Sequence, residues 1–477
     1  MPDFGFIGPS YVAASIYQDD QECINWYTEI DPFRQDRGVI ALYPTPGLVP
    51  VAQLPVQAEV RGLFANTGAA RMMAAVGNQV FSLDKAYSMT FAGTLNTSSG
   101  PVSIVDNGTV AMVADGVNRY SYSTGVGTMA VLNDGAFPGA DRVDVVDTFI
   151  VYNNPLTNQW GCTNAGSIAS SALNVSSKDG APDNLVTLIV NQREVYLLGE
   201  KTTEVWINTG AFPFPFQRIT GTSSQHGVAA KFSIARLGES FAWISKDDRG
   251  QSVVVQMNGY RPDRISTFAV ETALNSYPTL NDARAYSYQQ NGHEFYVLTL
   301  PAADVTWVYD LATQLWHKRA WRDSKNVLHR HRSNCGTIFN NQIIVGDWQN
   351  GKLYSMSLSN FTDDGAPIPC IRRAPHLVGP NIERMFYHEM QLQFQPGVGL
   401  QSGQGSDPQA MLRWSDDGGS TFGNEHWRGL GKVGKYKNRA RWTQMGEARD
   451  RIYEVTVTDP VYRVLISADL RASAGAH

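Results

Sequence analysis

Cysteine is scarce and scattered in this sequence, which leaves little material for metal or redox chemistry. The 477 residues include four cysteines, Cys23, Cys162, Cys335 and Cys370. No two of them have the C-x-x-C spacing of a zinc knuckle or a redox pair. We therefore expect four separate, small apolar side chains in a protein that folds in a reducing compartment.

Long apolar runs are also missing. The first residues, MPDFGFIGPSYVAAS, have neither the basic start nor the unbroken apolar stretch of a signal peptide. No run of about 18 apolar residues occurs, so the sequence predicts no membrane span. These absences favour a protein that folds in a cytosol.

An excess of basic residues is lacking too. The chain has 39 Lys and Arg against 44 Asp and Glu, a net charge of −5. Dedicated nucleic-acid binders carry a strong basic excess, so that class is disfavoured. Two basic stretches stand out, residues 318–332 and residues 428–451. In the second, Tyr436 and Trp442 alternate with cations, and contact with phosphates or bases is one interpretation. A solvated face or a contact with an acidic protein is the favoured one.

Helical periodicity is almost absent, and short alternating strands separated by turns replace it. The run RMMAAVGNQVFSL indicates strand, Gly-Asn turn and strand, and similar units recur about every 40–50 residues from Gly62 to Leu358. A repeat of this length, each unit a small antiparallel meander, is typical of a β-propeller. We count seven units, and the spacing also allows six. The segment ALYPTPGLVPVAQ is predicted to supply an outer strand to the last blade.

The texture changes near Ala366, where the alternating strands become longer and fewer. We read this part as a separate β-sandwich. The all-β chain is thus divided into an extended N-terminal arm (1–38), a β-propeller (39–362) and a C-terminal β-sandwich (363–477).

A turn motif near the C-terminus raises the question of enzymatic activity. SDDGGSTF, residues 415–422, matches the Asp-box of sialidase-like propellers. Asp417 would accept backbone N–H groups, Gly419 would take a conformation closed to other residues, and Phe422 would pack inward. A sialidase needs several such boxes, together with three arginines and a tyrosine nucleophile. One box outside the repeat therefore predicts a structural turn.

Two other motifs have ordinary explanations. GLGKVG, residues 429–434, fits G-x-G-x-x-G but lies between β-segments, so it lacks the strand and helix of a dinucleotide site. His317, His329, His331 and Cys335 form a cluster in which a metal site is conceivable, but neighbouring cations would repel the metal. We therefore favour a basic loop between blades. The sequence predicts no enzyme, no catalytic, cofactor-binding or metal-binding residue, and no cofactor.

The segment RWTQMGEARDRIYEVTVTDPVYRVLI, residues 441–466, resembles the closing strands of the head-closure proteins of short-tailed phages. These are known as packaged-DNA stabilisation proteins, tail hubs or nozzles. The likeness centres on Trp442, Gly446, Arg449, Asp450 and Arg451, and on the turn at Asp459-Pro460. ALYPTPGLVPVAQ and residues 199–245 also look like the strand ahead of the propeller and the middle blades of that family.

The resemblance implies a structural protein of the virion, located in the short tail and made in the cytoplasm of a bacterial host. Its partners would be five further copies of itself in a hexameric ring, the portal-adaptor ring above, and a tail needle, fibre or spike below. Packaged double-stranded DNA would pass through the lumen. Trp442, Arg449, Asp450 and Arg451 are candidate interface residues, and strand alternation would place the two arginines on one face.

Other functions compete with this one. A propeller lectin or glycoside hydrolase acting on host surface glycans is the main alternative, favoured by the Asp-box and by 11 tryptophans. A scaffold propeller of the WD or kelch kind ranks last, because no repeat carries a G-H…W-D signature.

Overall fold

The computed structural model describes residues 4–31, 33, 39–68, 70–123, 127–246 and 250–475. Within these residues nearly all regular structure is β-strand. The one α-helix there is Phe268–Ser276, which begins where the Thr267 side chain accepts a hydrogen bond from the Val270 N–H. Two short 3₁₀ turns accompany it, Ala172–Asn174 and Pro380–Ile382.

Residues 47–357 form a ring of seven antiparallel blades. Blades 1 to 3 comprise Val60–Ala65, Arg71–Val76, Gln79–Asp84 and Met89–Thr94; Ser103–Asp106, Val110–Ala114, Arg119–Ser123 and Met129–Val131; and Val143–Val146, Phe149–Asn153, Gln159–Cys162 and Val175–Ser177. Blades 4 and 5 comprise Leu185–Asn191, Glu194–Gly199, Thr203–Asn208 and Phe216–Arg218; and Ala235–Leu237, Ser240–Lys246, Ser252–Asn258 and Arg261–Arg264. Blade 6 comprises Arg284–Gln290, His293–Leu300, Val305–Asp310 and Leu315–Arg322, with Leu328–Arg330 at its edge.

Blade 7 closes the ring with a strand from outside the repeat. Its first three strands are Ser333–Phe339, Gln342–Asp347 and Lys352–Ser357. Gly47–Gln53 pairs antiparallel with the last of these, and the short hairpin Thr362–Asp363 and Ala366–Pro367 continues the sheet. The predicted propeller is confirmed, with seven blades and with its closing strand inside the ALYPTPGLVPVAQ segment.

The ring is held together by apolar clusters between neighbouring blades. Each blade shares one buried cluster with the next, and the last of them joins Phe339 and Leu353 of blade 7 to Val60 and Met72 of blade 1. Because both faces of a blade are covered, its central strands are apolar throughout instead of alternating: residues 72–76 are all buried. Burial on both faces explains why isolated blades would not be stable.

The sandwich consists of two antiparallel sheets. The first contains Tyr11–Val12, Asp20–Ile24, Cys370–Arg373, Leu377–Val378, Asp450–Val457, Gln409–Ser415 and His426–Gly429. The second contains Trp26–Ile30, Ile40–Pro44, Leu465–Ala474, Met385–Phe394, Ala440–Thr443 and Glu447–Ala448. Side chains from both sheets fill one core, which includes Trp26, Trp442 and Tyr453.

The N-terminal segment differs from the predicted extended arm. Residues 1–3, 32 and 34–38 lie outside the described part, but residues 20–24 pair with the first sandwich sheet and residues 26–30 belong to the second. The sequence gave no clear period there, because each strand is short and its neighbours lie more than 300 residues away. The domain limits at 38 and 362 stay a prediction.

The first sandwich sheet is continuous with blade 6. Ile24 pairs in parallel with Lys318, which joins the two domains edge to edge. The Asn25 amide donates to the carbonyls of Ala320 and Pro369, each at 2.8 Å, and its oxygen accepts the Ala320 N–H at 3.0 Å. One buried side chain thus satisfies the backbone where the strands part.

Candidate assembly surfaces

The Asp-box forms a tight, self-contained turn. The Ser415 hydroxyl donates to Asp417 Oδ1 (2.6 Å), the Thr421 N–H donates to the same atom (2.9 Å), and the Thr421 hydroxyl donates to Oδ2 (2.6 Å). These hydrogen bonds, that of Ser415 first, lower the pKa of Asp417 to about 2. Gly419 has φ +92°, a conformation that favours glycine. The carboxylate is fully occupied by the turn.

The N-terminal segment covers this turn. A Cβ on Gly418 would lie 2.5 Å from the Tyr17 ring, so only glycine fits beneath it. The Phe422 ring lies between the guanidinium groups of Arg373 and Arg413, each 4.9 Å from its centroid. Both arginines also bind the buried carboxylate of Glu454. Phe422 therefore packs against cations at the sheet surface and is not fully buried.

Arg451 is a buried structural residue. Its Nε and Nη2 atoms donate to the two oxygens of Asp416 (2.6 and 2.7 Å), and Nη1 donates to the Met445 carbonyl (2.6 Å). The guanidinium lies 4.5 Å from the Tyr387 ring centroid. Burial opposes the charged form, but the hydrogen bonds with Asp416 and Tyr453 raise the pKa of Arg451 above its usual value. The turn motif and the GEARDR segment are thus parts of one arrangement.

The other candidate interface residues lie in different surroundings. Trp442 is 2% exposed within the sandwich core, and its indole N–H donates to the His426 carbonyl at 2.8 Å. Asp450 accepts from His376 at 2.8 Å. Arg449 is exposed in a bend before the strand begins at Asp450, so it does not share a face with the buried Arg451. Among the four residues, Arg449 alone is exposed to a partner.

A more accessible surface lies in the loop that precedes Trp442. We call residues 427–441 the basic-aromatic loop. Trp427 and Tyr436 are 54% and 71% exposed, and Val433 is 49% exposed. The loop also carries exposed cations: Arg428, Lys432, Lys435, Lys437, Arg439 and Arg441. Exposed aromatic rings among arginines are the side chains that protein interfaces prefer.

The remaining sequence motifs have structural settings. GLGKVG lies in this loop between His426–Gly429 and Ala440–Thr443, with no helix after it, so a dinucleotide site lacks its framework. In the histidine cluster, burial lowers the pKa of His331 to about 3 and the pKa of His317 far below its usual value. Across the described residues, no group of three His, Cys, Asp or Glu side chains is arranged to hold a metal ion.

The seam between propeller and sandwich contains functional polar groups that the sequence did not reveal. His293 of blade 6 lies between Asp310 (2.7 Å) and Glu29 of the sandwich (2.5 Å). The hydrogen bond with Asp310 is the main cause that raises the pKa of His293. Lys318 pairs with Glu22 across the same seam at 2.7 Å. No motif marks these residues, because their partners are distant in sequence.

Within the described part of the chain, no helix has the length and apolar character needed to cross a membrane. Comparison with protein families gives two matches in chain order. The family model described as bacteriophage P22 Gp10, β-propeller, matches residues 19–360. The model described as bacteriophage P22 Gp10, β-sandwich, matches residues 372–473. No curated protein matches the chain.

Solved structures show only a distant likeness. The extracellular domain of a putative hybrid two-component system from B. thetaiotaomicron is 11% identical with a TM-score of 0.45; the alignment covers 78% of this chain and 46% of that one. The chain therefore spans about half the length of that structure. The N-terminal domain of Nup159 is 10% identical with a TM-score of 0.40, over 70% of this chain and 98% of that one. The WD40 propeller of Doa1 is 11% identical with a TM-score of 0.39, over 65% and 97%.

Proposed function

Since the chain belongs to the bacteriophage P22 Gp10 family of phage stabilisation proteins, we propose that it builds a hexameric ring beneath the portal and its adaptor ring. The ring extends the DNA channel, retains the packaged genome and anchors the needle, fibre or spike of a short tail. The observation that carries the proposal is the match of both family models, in order, over residues 19–360 and 372–473. As a virion structural protein it needs no chemical step.

The architecture supports such a role. A wall that holds a pressurised genome must resist deformation, and the two domains are joined by a continuous sheet at Ile24 and Lys318. Buried polar contacts at Asn25 and His293 reinforce the seam. A net charge of −5 suits a conduit through which DNA slides without adhering.

The basic-aromatic loop is the proposed contact with a neighbouring protein of the tail. Lys432 has an exposed partner in Asp407 at 3.4 Å, and Arg441 pairs with Glu389 at 2.9 Å. The other cations of the loop form no ion pair within the described residues, so they are available to an acidic partner. Trp427 and Tyr436 would supply the apolar anchors of that contact.

The decisive experiment is a phage that lacks this gene. Its heads should fill, because packaging is driven by a motor elsewhere, and then lose their DNA without producing infectious particles. Purified protein added to freshly filled heads should restore retention. Stable, infectious heads made without the protein would contradict the proposal, as would hydrolysis of a sialoside by the purified protein.

The contact surface can be tested in the same assay. Replacing both Trp427 and Tyr436 by alanine should abolish the rescue of filled heads while leaving the melting temperature unchanged, because both rings are exposed. Leu156→Ala, an exposed apolar residue on blade 3, is the matched control and should rescue normally. Full rescue by the double variant would exclude the loop as the contact.

A further inference from the structure

The central tunnel of the propeller contains an accumulation of positive charge that the proposed ring function does not require. The first strands of the blades line a cavity of about 340 Å³. Arginines 61, 142, 236 and 284 contribute to its wall, with Asp144 the acidic residue beside them. Arg61, Arg142 and Arg284 lie at or next to the start of three of these strands, so they meet at one mouth of the tunnel.

Two of these arginines are already committed. Arg61 uses its five N–H donors on Thr97 and on the carbonyls of Gly77, Ser99 and Gly100. Arg236 pairs with Asp144 at 2.9 Å. Arg61 therefore contributes charge without a free donor, and the charge of Arg236 is neutralised.

Arg142 and Arg284 are different. The Nε atom of each is shielded from solvent and has no hydrogen-bond partner among the described residues. Arg142 forms no ion pair there either, although Arg284 donates from Nη1 to Glu59 (3.1 Å) and Asn334 (2.9 Å). A shielded donor without a partner is rare, because it loses its hydrogen bond to water.

Phe232 brings the two arginines together. The Arg142 guanidinium lies 5.8 Å from the centroid of the Phe232 ring. The Phe232 backbone pairs in parallel with Arg284, and its carbonyl accepts the Ala285 N–H at 2.8 Å. Arg142 and Arg284 thus flank the same residue at the tunnel mouth.

We propose that this mouth binds a small tetrahedral oxyanion, phosphate or sulfate, between Arg142 and Arg284. Arginine presents a planar set of donors that matches such oxygens, and charge-assisted hydrogen bonds of this kind are the strong ones. The anion would also relieve the repulsion between neighbouring guanidinium groups. Burial, and then the nearby Arg236, lower the pKa of Arg142 to about 10, which indicates the same excess of charge.

The site is independent of DNA passage through the proposed ring. A cavity of about 340 Å³ accommodates an ion, not a duplex. A metal cation would be repelled by the same arginines. The bound anion would tie blade 3 to blade 6 across the tunnel and so stabilise the propeller, since a ligand that binds only the folded state adds to its stability.

Calorimetric titration of the full chain with inorganic phosphate, in chloride buffer at constant ionic strength, tests the proposal. Wild-type protein should bind one phosphate per chain. Arg142→Gln and Arg284→Gln should each weaken binding at least about tenfold, the loss expected for a hydrogen bond to a charged group. Arg449→Gln, an exposed arginine outside the tunnel, is the matched control and should bind as wild type.

A second measurement guards against misfolding. In phosphate-free buffer Arg142→Gln should melt no lower than wild type, because it removes a shielded cation without a partner. Arg142→Lys keeps the charge and loses the planar donors, and should bind with intermediate affinity. No binding by wild type, or equal affinity in wild type, Arg142→Gln and Arg449→Gln, would show an adventitious ion only and overturn the proposal.

Discussion

The propeller and the sandwich are both antiparallel β-structure, but they draw on the chain in opposite ways. Four consecutive strands make a blade, and its turns are short, as at residues 77–78 between two strands of blade 1. The sandwich sheets instead combine residues 11–44 with residues 370–474. Local pairing costs little loop entropy, whereas pairing of the chain ends costs more and forms later.

This difference explains which parts were legible in the sequence. A blade repeats its pattern, so the period of about 40–50 residues was visible. The sandwich strand Asp20–Ile24 pairs with Cys370–Arg373, and nothing local to either segment specifies the other. The comparison also predicts which changes damage one domain without the other.

The largest effect should come from deletion of residues 1–30. This removes Asp20–Ile24 and Trp26–Ile30, one strand from each sandwich sheet, but leaves the propeller's closing strand Gly47–Gln53. The sandwich should lose its protection against limited proteolysis, while a fragment from about residue 47 to 363 persists, as mass spectrometry of the fragments would show.

The reciprocal variant is Leu48→Asp, which places a charge at a fully buried position of the closing strand. It should open the propeller first. A deletion variant whose sandwich resists the protease as well as the full chain does would remove the distinction between locally and distantly assembled domains.

The next effect concerns a buried ion pair within the sandwich. Arg451→Ala should lower the free energy of unfolding by about 3–5 kcal/mol, because Asp416 loses its partner and a buried network is broken. Arg449→Ala, two residues earlier and exposed, should change it by less than about 0.5 kcal/mol. Urea unfolding followed by tryptophan fluorescence measures both. Equal midpoints for the two variants would show that Arg451 is not a structural residue.

An intermediate effect should appear at the seam, as a dependence on pH. The raised pKa of His293 means that the protonated form is favoured between Asp310 and Glu29. Its contribution, about 1.5–3 kcal/mol for hydrogen bonds to a charged group, is fully present below about pH 6.5. It is lost as the pH rises through the raised pKa. His317 nearby stays neutral, because burial lowers its pKa far below that window.

His293→Gln should abolish this decline. Melting curves of wild type and variant, recorded from pH 5 to pH 9, make the comparison, with the approximate window set by the histidine pKa. If the wild type became more stable as the pH rose through this window, the protonated state assigned to His293 would be incorrect.

The smallest effect is expected at the exposed turn of the Asp-box. Asp417→Ala should lower the melting temperature less than Arg451→Ala, since water can replace the lost hydrogen bonds. The lowered pKa means that the contribution of Asp417 is present above about pH 3.8 and is lost as the pH falls towards 2. Asp179→Ala, an exposed aspartate on the propeller, is the control. A larger loss than that of Arg451→Ala would reverse this order.

Several features of the fold could be predicted from residues alone. The run RMMAAVGNQVFSL indicated two strands and a turn, and these are Arg71–Val76 and Gln79–Asp84. The closing strand was also predicted, because Gly and Pro bounded an apolar segment that no repeat used. The Asp-box side chains take the turn positions that their chemistry predicted, since Asp417 and its hydrogen-bond partners are adjacent in sequence.

The candidate interface could not be predicted in the same way. Trp442 looked like a surface aromatic among cations, but a strand places every second side chain inside, and Trp442 faces the core while Arg441 faces solvent. The bend at Arg449 interrupts the alternation that would have paired it with Arg451. Phe422 contacts arginines that come from two other strands.

The sequence by itself determined the all-β class, the repeat that becomes seven blades and the turn chemistry at Asp417, because these depend on neighbours within a few tens of residues. Only the tertiary structure decided that the N-terminal strands complete the sandwich, that His293 meets Glu29, and that Arg142 and Arg284 flank one tunnel mouth. These contacts join residues from about 50 to more than 300 positions apart. Ring closure and the pairing of the chain ends fix them, and no local pattern encodes either.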